Sequence, residues 1–147
     1  MIRARWSGLL LMALGACAAA APQDDPTRLA HARAQLRRGA YDSAATGFGE
    51  LASSRDTTIA VVAQRNHVRA LAERGRYDDA EAAARRYRGP SLLVPLGDVL
   101  RTRGRLAEAE SVYTRAGNAR TVDSLTAALR LGELRVERGD RAGATRI

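Results

Sequence analysis

Few side chains in this 147-residue chain have types and spacing suited to chemistry. Its two histidines, His31 and His67, stand 36 residues apart, so a shared metal or proton-transfer site is the first possibility. A metal would need a third ligand of Cys, His, Asp or Glu type, and the sequence places none beside them. In two later segments the matching positions hold Leu96 and Leu131. The expected role of both rings is therefore packing in place of a leucine. Ser53-Ser54 and Asp78-Asp79 read as helix-end and first-turn residues, not as a nucleophile or an acid pair. No G-x-S-x-G, H-E-x-x-H, Walker A or C-x-x-C run occurs. Neither catalysis nor a cofactor or metal is expected. Cys17 is the only cysteine, so no internal disulfide can form.

Charge is the next chemical resource. All 24 basic residues are arginine, against 16 acids, for a formal net charge of +8. The densest clusters are Arg85, Arg86, Arg88 and Arg101, Arg103, Arg105, and no basic run reaches five residues. Arginines interleaved with acids do not make the basic stripe that nucleic acid requires, so nucleic acid is not an expected partner.

These groups must be positioned by helices. The chain is 46% hydrophobic but only 4% aromatic, and much of the apolar content is alanine. Alanine favours helix and lets backbones approach closely. One hexad recurs: Gly39-Ala40-Tyr41-Asp42-Ser43-Ala44, Gly75-Arg76-Tyr77-Asp78-Asp79-Ala80, Gly104-Arg105-Leu106-Ala107-Glu108-Ala109 and Gly139-Asp140-Arg141-Ala142-Gly143-Ala144. The glycines are spaced by 36, 29 and 35 residues. Each position has a physical job. The glycine closes a first helix in a left-handed cap. The Tyr or Leu packs under the turn, and the acid sits at the positive end of a second helix. The alanine lets the two helices meet.

A G-x-Y-x-x-A turn at this period resembles the tetratricopeptide repeat (TPR). Leu96-Gly97 and Leu131-Gly132 stand eight and seven residues before their turn glycines, as in that family, with His31-Ala32 and His67-Val68 in the earlier copies. The aromatic expected nine residues after the turn is Phe48 and Tyr113, while the second copy has Ala84. The closing proline is missing apart from Pro90. The resemblance covers about residues 26–147. It implies an all-α, right-handed TPR-like superhelix of about three complete repeats and a truncated fourth. Helices are expected near 26–38, 41–53, 58–74, 77–88, 91–103, 106–116, 122–138 and from 141 onward. Thr57 and either Thr121 or Asp123 are the expected N-caps. Pro95 is expected to kink the fifth helix or move its start to Leu93 or Val94. The chain is expected to continue beyond Ile147, because a polar capping helix is missing.

Residues 1–21 read as a targeting segment. Arg3 and Arg5 precede the apolar stretch from Gly8 to Ala16, which is shorter than the ~20 residues needed to span a bilayer. Leu14-Gly15-Ala16-Cys17 resembles the lipobox of bacterial lipoproteins, which implies cleavage before Cys17 and lipidation of its sulfur. An A-x-A exit within Ala18 to Ala21 is the alternative. Residues 22–25 form a short tether.

The TPR resemblance further implies a concave groove lined by first helices, where partner segments lie. The register assigns Arg33, Arg37, Arg65, Arg69, Asp98 and Arg101 to it. Its early part is arginine-lined and suits acidic segments, since arginine grips carboxylates bidentately. Its late part, with Glu133 and Glu137, is acidic. The basic clamp of co-chaperone TPRs is not matched: only Asn66 fits, and Leu29, Arg33, Ser91 and Pro95 occupy the other places. The expected function is a cell-envelope scaffold that binds proteins. It would be exported and lipid-anchored at Cys17 on the periplasmic face, with the outer membrane favoured, or else soluble in the periplasm. The alternative is a recruitment module of a longer envelope enzyme.

Overall fold

The computed structural model describes residues 24–145. Among them the chain is all-helical, with eight α-helices and no strand. These are α1 (Asp25–Arg37), α2 (Tyr41–Leu51), α3 (Thr57–Glu73), α4 (Tyr77–Tyr87), α5 (Leu93–Thr102), α6 (Leu106–Asn118), α7 (Ser124–Glu137) and α8 (Arg141–Ala144). Each helix packs on the next, and the odd-numbered helices also touch in series, α1 on α3, α3 on α5 and α5 on α7. This pairing is compatible with a helical repeat. Residues 1–23, including Cys17 and half of the expected tether, lie outside the described residues, and Asp24 and Asp25 of that tether belong to the start of α1.

The recurrent hexad builds one turn four times. Gly39, Gly75, Gly104 and Gly139 have φ of +78°, +82°, +76° and +81°. Each is followed by a doubly bonded helix closure. The amide of Gly39 donates to the carbonyl of Leu36 at 3.1 Å, and Ala40 donates to Gln35 at 3.0 Å. The same two bonds recur as Gly75 to Ala72 and Arg76 to Leu71, Gly104 to Arg101 and Arg105 to Leu100, and Gly139 to Val136 and Asp140 to Arg135. They satisfy carbonyls that the helix end would otherwise leave unpaired. The alanines at the sixth hexad position, Ala44, Ala80 and Ala109, are fully buried, and Ala144 is half-buried.

Helix starts refine the expected boundaries. Asp24 caps α1 through the Thr27 amide, so the helix begins at Asp25, one residue earlier than expected. The cap of α3 is Asp56, not Thr57: its carboxylate accepts from the amides of Thr58 at 2.8 Å and Ile59 at 3.2 Å. A carboxylate reaches two free amides and meets the positive helix end, whereas Thr57 becomes the first helical residue. At α7 the cap position is Asp123, although its side chain makes no capping bond. Pro90 to Leu92 form a 3-10 turn, and α5 starts at Leu93. Pro95 thus lies in the first turn, where its missing amide costs little.

The core is a seam of small and large residues. Tyr113, Phe48, Leu51, Leu100, Leu134 and Val68 are its largest fully buried members. A Cβ on Gly97 would lie 2.4 Å from Tyr113 Cε1, so α5 needs glycine there to admit the ring of α6. The corresponding pairs elsewhere are Ala32 with Phe48 and Val68 with Ala84. Each residue enlarged on the first helix is matched by one that is no larger than Tyr113 on the second, which keeps the filled volume within bounds. We therefore expect Gly97→Ala to lower stability by about 2 kcal/mol through overpacking. Gly97→Ala combined with Tyr113→Phe should stay destabilised, because the clash is with ring carbons, and Gly97→Ala with Tyr113→Leu should recover part of the loss. Thermal melts followed by circular dichroism measure all three.

Candidate functional site

The row of odd-numbered helices leaves a groove of about 650 Å³ between α3, α5 and α7. Its floor is apolar, from Val68 and Ala72 on α3 and Val94, Pro95 and Val99 on α5. Its rim is polar, from Arg65, Asn66, Arg69 and Glu73 on one side and Asp98 and Arg130 on the other. Four residues expected in the groove, Arg65, Arg69, Asp98 and Arg101, lie on α3 and α5. Arg65, Arg69 and Asp98 line this cavity, and Arg101 borders a shallower one with Asp98 and Glu137. Arg33 and Arg37 are exposed on α1, outside that lining.

The arginines differ in how far they are already engaged. Arg65 Nη2 lies 3.1 Å from Asp123 Oδ1, on a buried carboxylate whose Oδ2 has no hydrogen-bond partner among the described residues. Arg101 is held most firmly. Its guanidinium donates to Glu133 Oε2 at 2.9 Å and forks onto both oxygens of Glu137. These hydrogen bonds, first that to Glu137 and then that to Glu133, raise its proton affinity above the usual arginine value. Arg130 joins the cluster at 3.0 Å from Glu133 Oε2 and 3.4 Å from Asp98 Oδ1. The acidic late part of the groove thus faces its arginine-rich middle and neutralises it. Among the described residues Arg69 pairs only with Glu73, at 3.7 Å on the exposed face of the same helix. Arg33 and Arg37 form no ion pair among the described residues.

Asp98 ties the groove to the core. It accepts from the Tyr113 hydroxyl at 2.7 Å. Burial pushes its carboxyl up, and that outweighs the opposing pull of the Tyr113 bond and of Arg130 and Arg101. Burial also pushes the Tyr113 phenol up, followed by its bond to Asp98. Tyr113 therefore stays a donor across the physiological range.

Three members of the basic clusters noted in the sequence, Arg85, Arg103 and Arg105, converge away from the groove lining. Glu81 on α4, buried, accepts from Arg85, Arg103 and Arg105 at 2.6 to 2.9 Å. Burial alone would raise its carboxyl, but the bonds from Arg85 and Arg105 and their charges bring the net shift below the usual range. This hub, which joins α4 to the α5–α6 turn, was not legible as a site. Two of its partners, Arg103 and Arg105, stand 22 and 24 residues away.

The two histidines are engaged separately. The Gln35 amide donates to His31 Nε2 at 2.9 Å. His67 Nδ1 lies 2.6 Å from the Tyr87 hydroxyl, and its ring packs against Gly49 on α2. Arg86 covers the Tyr87 ring at 4.9 Å. Among the described residues no group of three His, Cys, Asp or Glu side chains could hold a metal ion.

Burial, then the charges of Arg86 and Arg76, lower the proton affinity of His67 below its usual value. For a histidine so depressed, the folded state resists the proton that the unfolded chain accepts. Its stabilising contribution is complete above the unfolded value of about 6.5 and is lost as pH falls through the folded value. We expect His67→Leu, which copies Leu96 and Leu131, to lose less thermal stability than the parent chain between pH 7 and pH 5. Parallel melts at the two pH values check this, and equal losses would contradict it.

No protein-family model matches this chain, and no curated protein matches it.

Proposed function

We propose that the chain is a TPR-type scaffold that binds a protein segment in the groove between α3, α5 and α7. Under this reading the helix pairs are three repeats and a partial fourth, wound as a right-handed superhelix. The observation that carries the reading is the groove itself: an apolar floor at Val94, Pro95 and Val99 beneath a polar rim. Such a surface offers pockets for side chains and bonding groups for a backbone. It lacks the nucleophile, base and oxyanion arrangement of an enzyme.

The pairing of the arginines sharpens what the partner would touch. An acidic segment at Arg65 or Arg101 would have to displace Asp123, Glu133 or Glu137. Arg69, and beyond the groove Arg33 and Arg37, are the cations open to a new carboxylate. Apolar side chains of the partner would fill the floor. Placement in the cell envelope rests on the lipobox-like Leu14-Gly15-Ala16-Cys17, and Cys17 is the proposed lipid anchor.

Two experiments test this reading. A photo-cross-linking residue placed at Thr102 or Thr126, both exposed at the groove, should capture the same protein partner in bacterial cells. The same residue at Ser43 or Ser111, exposed on α2 and α6, should not. Arg33→Glu, Arg37→Glu and Arg69→Glu together should weaken capture with little change in melting temperature. Arg101→Glu should instead cost about 1 kcal/mol of stability, because it faces two glutamates. Equal adducts from both faces would remove the groove reading. Separately, Cys17→Ser should move the protein from the membrane fraction to the soluble one, and a variant that stays membrane-bound would end the lipid-anchor reading.

A further inference from the structure

Helix α7 is apolar on two opposite sides. Ala127, Leu131 and Leu134 are buried against the rest of the chain. Val122, Leu125, Leu129 and Val136 are 93%, 83%, 60% and 53% exposed. At 100° per residue Leu125, Leu129 and Val136 fall within an arc of about 40°, opposite the buried three, and Val122 stands in the turn two residues before the helix. Among the described residues only one other large apolar side chain is exposed, Val61 at 41%. The exposure is therefore concentrated on one helix and the turn before it, not the scatter normal for a monomer.

The chain itself indicates what kind of surface covers such a position. Leu129 stands 35 residues after Val94, the spacing of the last two turn glycines. Val94 is buried in a cluster with Ala127 of α7 and Ala116 of α6. A helix covers that place on α5, and a helix is the fitting cover on α7.

We propose that this cover is α7 of a second copy of the chain, packed antiparallel about a two-fold axis beside Leu129. The spacing is self-complementary. Val122 and Val136 lie seven residues on either side of Leu129. An antiparallel pair thus sets Leu129 against its copy and Val136 towards the turn that carries Val122, twice. Leu125 meets the level of Gly132 and Glu133, where the glycine leaves room. The charge beside the seam is already balanced, since Glu133 is held by Arg101 and Arg130. Closing the pair buries no free ion. Head-to-tail stacking fits worse, because the exposed surface of α1 offers Ala30, Arg33 and Arg37 to an apolar partner. The four side chains expose roughly 500 Å² per copy, or about 1,000 Å² for the pair, which sits at the lower limit for a specific interface. The dimer is accordingly a weak, reversible one.

Sedimentation velocity of the full chain carrying Cys17→Ser, over a concentration series, tests this. A reversible monomer–dimer equilibrium is expected, and Leu125→Glu with Leu129→Glu should weaken it at least tenfold while leaving the helical circular dichroism unchanged. Should that variant fail to fold, Leu129→Cys in the same Cys17→Ser background decides: it should form a disulfide-linked dimer under mild oxidation, and Arg33→Cys should not. A parent chain that is monomeric throughout, a folded double variant that remains dimeric, or equal cross-linking from position 33 would each overturn the proposal.

Discussion

The structure depends on a left-handed residue at the end of each first helix. A chain of L-residues leaving a helix meets a steric barrier when its backbone must enter positive φ, and glycine removes it. Gly39, Gly75, Gly104 and Gly139 take up this conformation within 6° of one another in φ. The two closing hydrogen bonds at each turn then fix the direction in which the second helix departs. Because the turn is the same each time, the helix pairs that follow are similar too, and the odd-numbered helices come to lie in series. The groove between α3, α5 and α7 is a consequence of that order. No single side chain creates it.

Electrostatics acts on this frame as a fastener. A chain with 24 arginines and a formal charge of +8 could have been expected to present a basic surface. Instead the arginines work between helices. Arg101 of α5 grips Glu133 and Glu137 of α7, and Glu81 of α4 gathers Arg103 and Arg105 from beyond α5. Arg135 and Arg138 converge on Glu110 of α6. The exposed pairs among these contribute little singly, but the clusters share partly buried carboxylates and fix one arrangement of neighbours. Arginine suits this role because its planar fork can satisfy two carboxylates at once, as Arg101 does.

What the sequence made legible follows from how local each signal is. The turn glycines and the buried alanines are dictated within six residues, and the helices were found to within about two residues at most ends. Gly97 and Tyr113 could be placed in register, yet the reason for the glycine is the tyrosine ring 16 residues later, which only packing reveals. Caps were less legible. Asp56 and Thr57 are both capping types, and the choice turned on which side chain reaches the free amides. Of the arginines assigned to the groove, Arg65 and Arg69 line the cavity and Arg33 and Arg37 do not, and the partners of Arg65 and Arg101 were not legible, because Asp123, Glu133 and Glu137 lie on or just before a different helix. The basic clusters were visible in the sequence but their convergence on Glu81 was not, and His67 was read as a packing position without its contact to Tyr87. Cys17 lies outside the described residues, so its role rests on the lipobox resemblance alone.

If the left-handed turn is the constraint that sets the whole arrangement, the handedness of one turn residue should decide stability. Gly104 is suited to the test, since it is exposed, has φ +76° and has nothing within 4 Å of an added Cβ. The direct measurement is the unfolding free energy of semisynthetic chains carrying L-alanine or D-alanine at position 104. The account predicts that L-alanine costs about 1 kcal/mol, while D-alanine, at home at positive φ, matches or exceeds glycine by a few tenths to about 1 kcal/mol. Equal stability for the two enantiomers would contradict it.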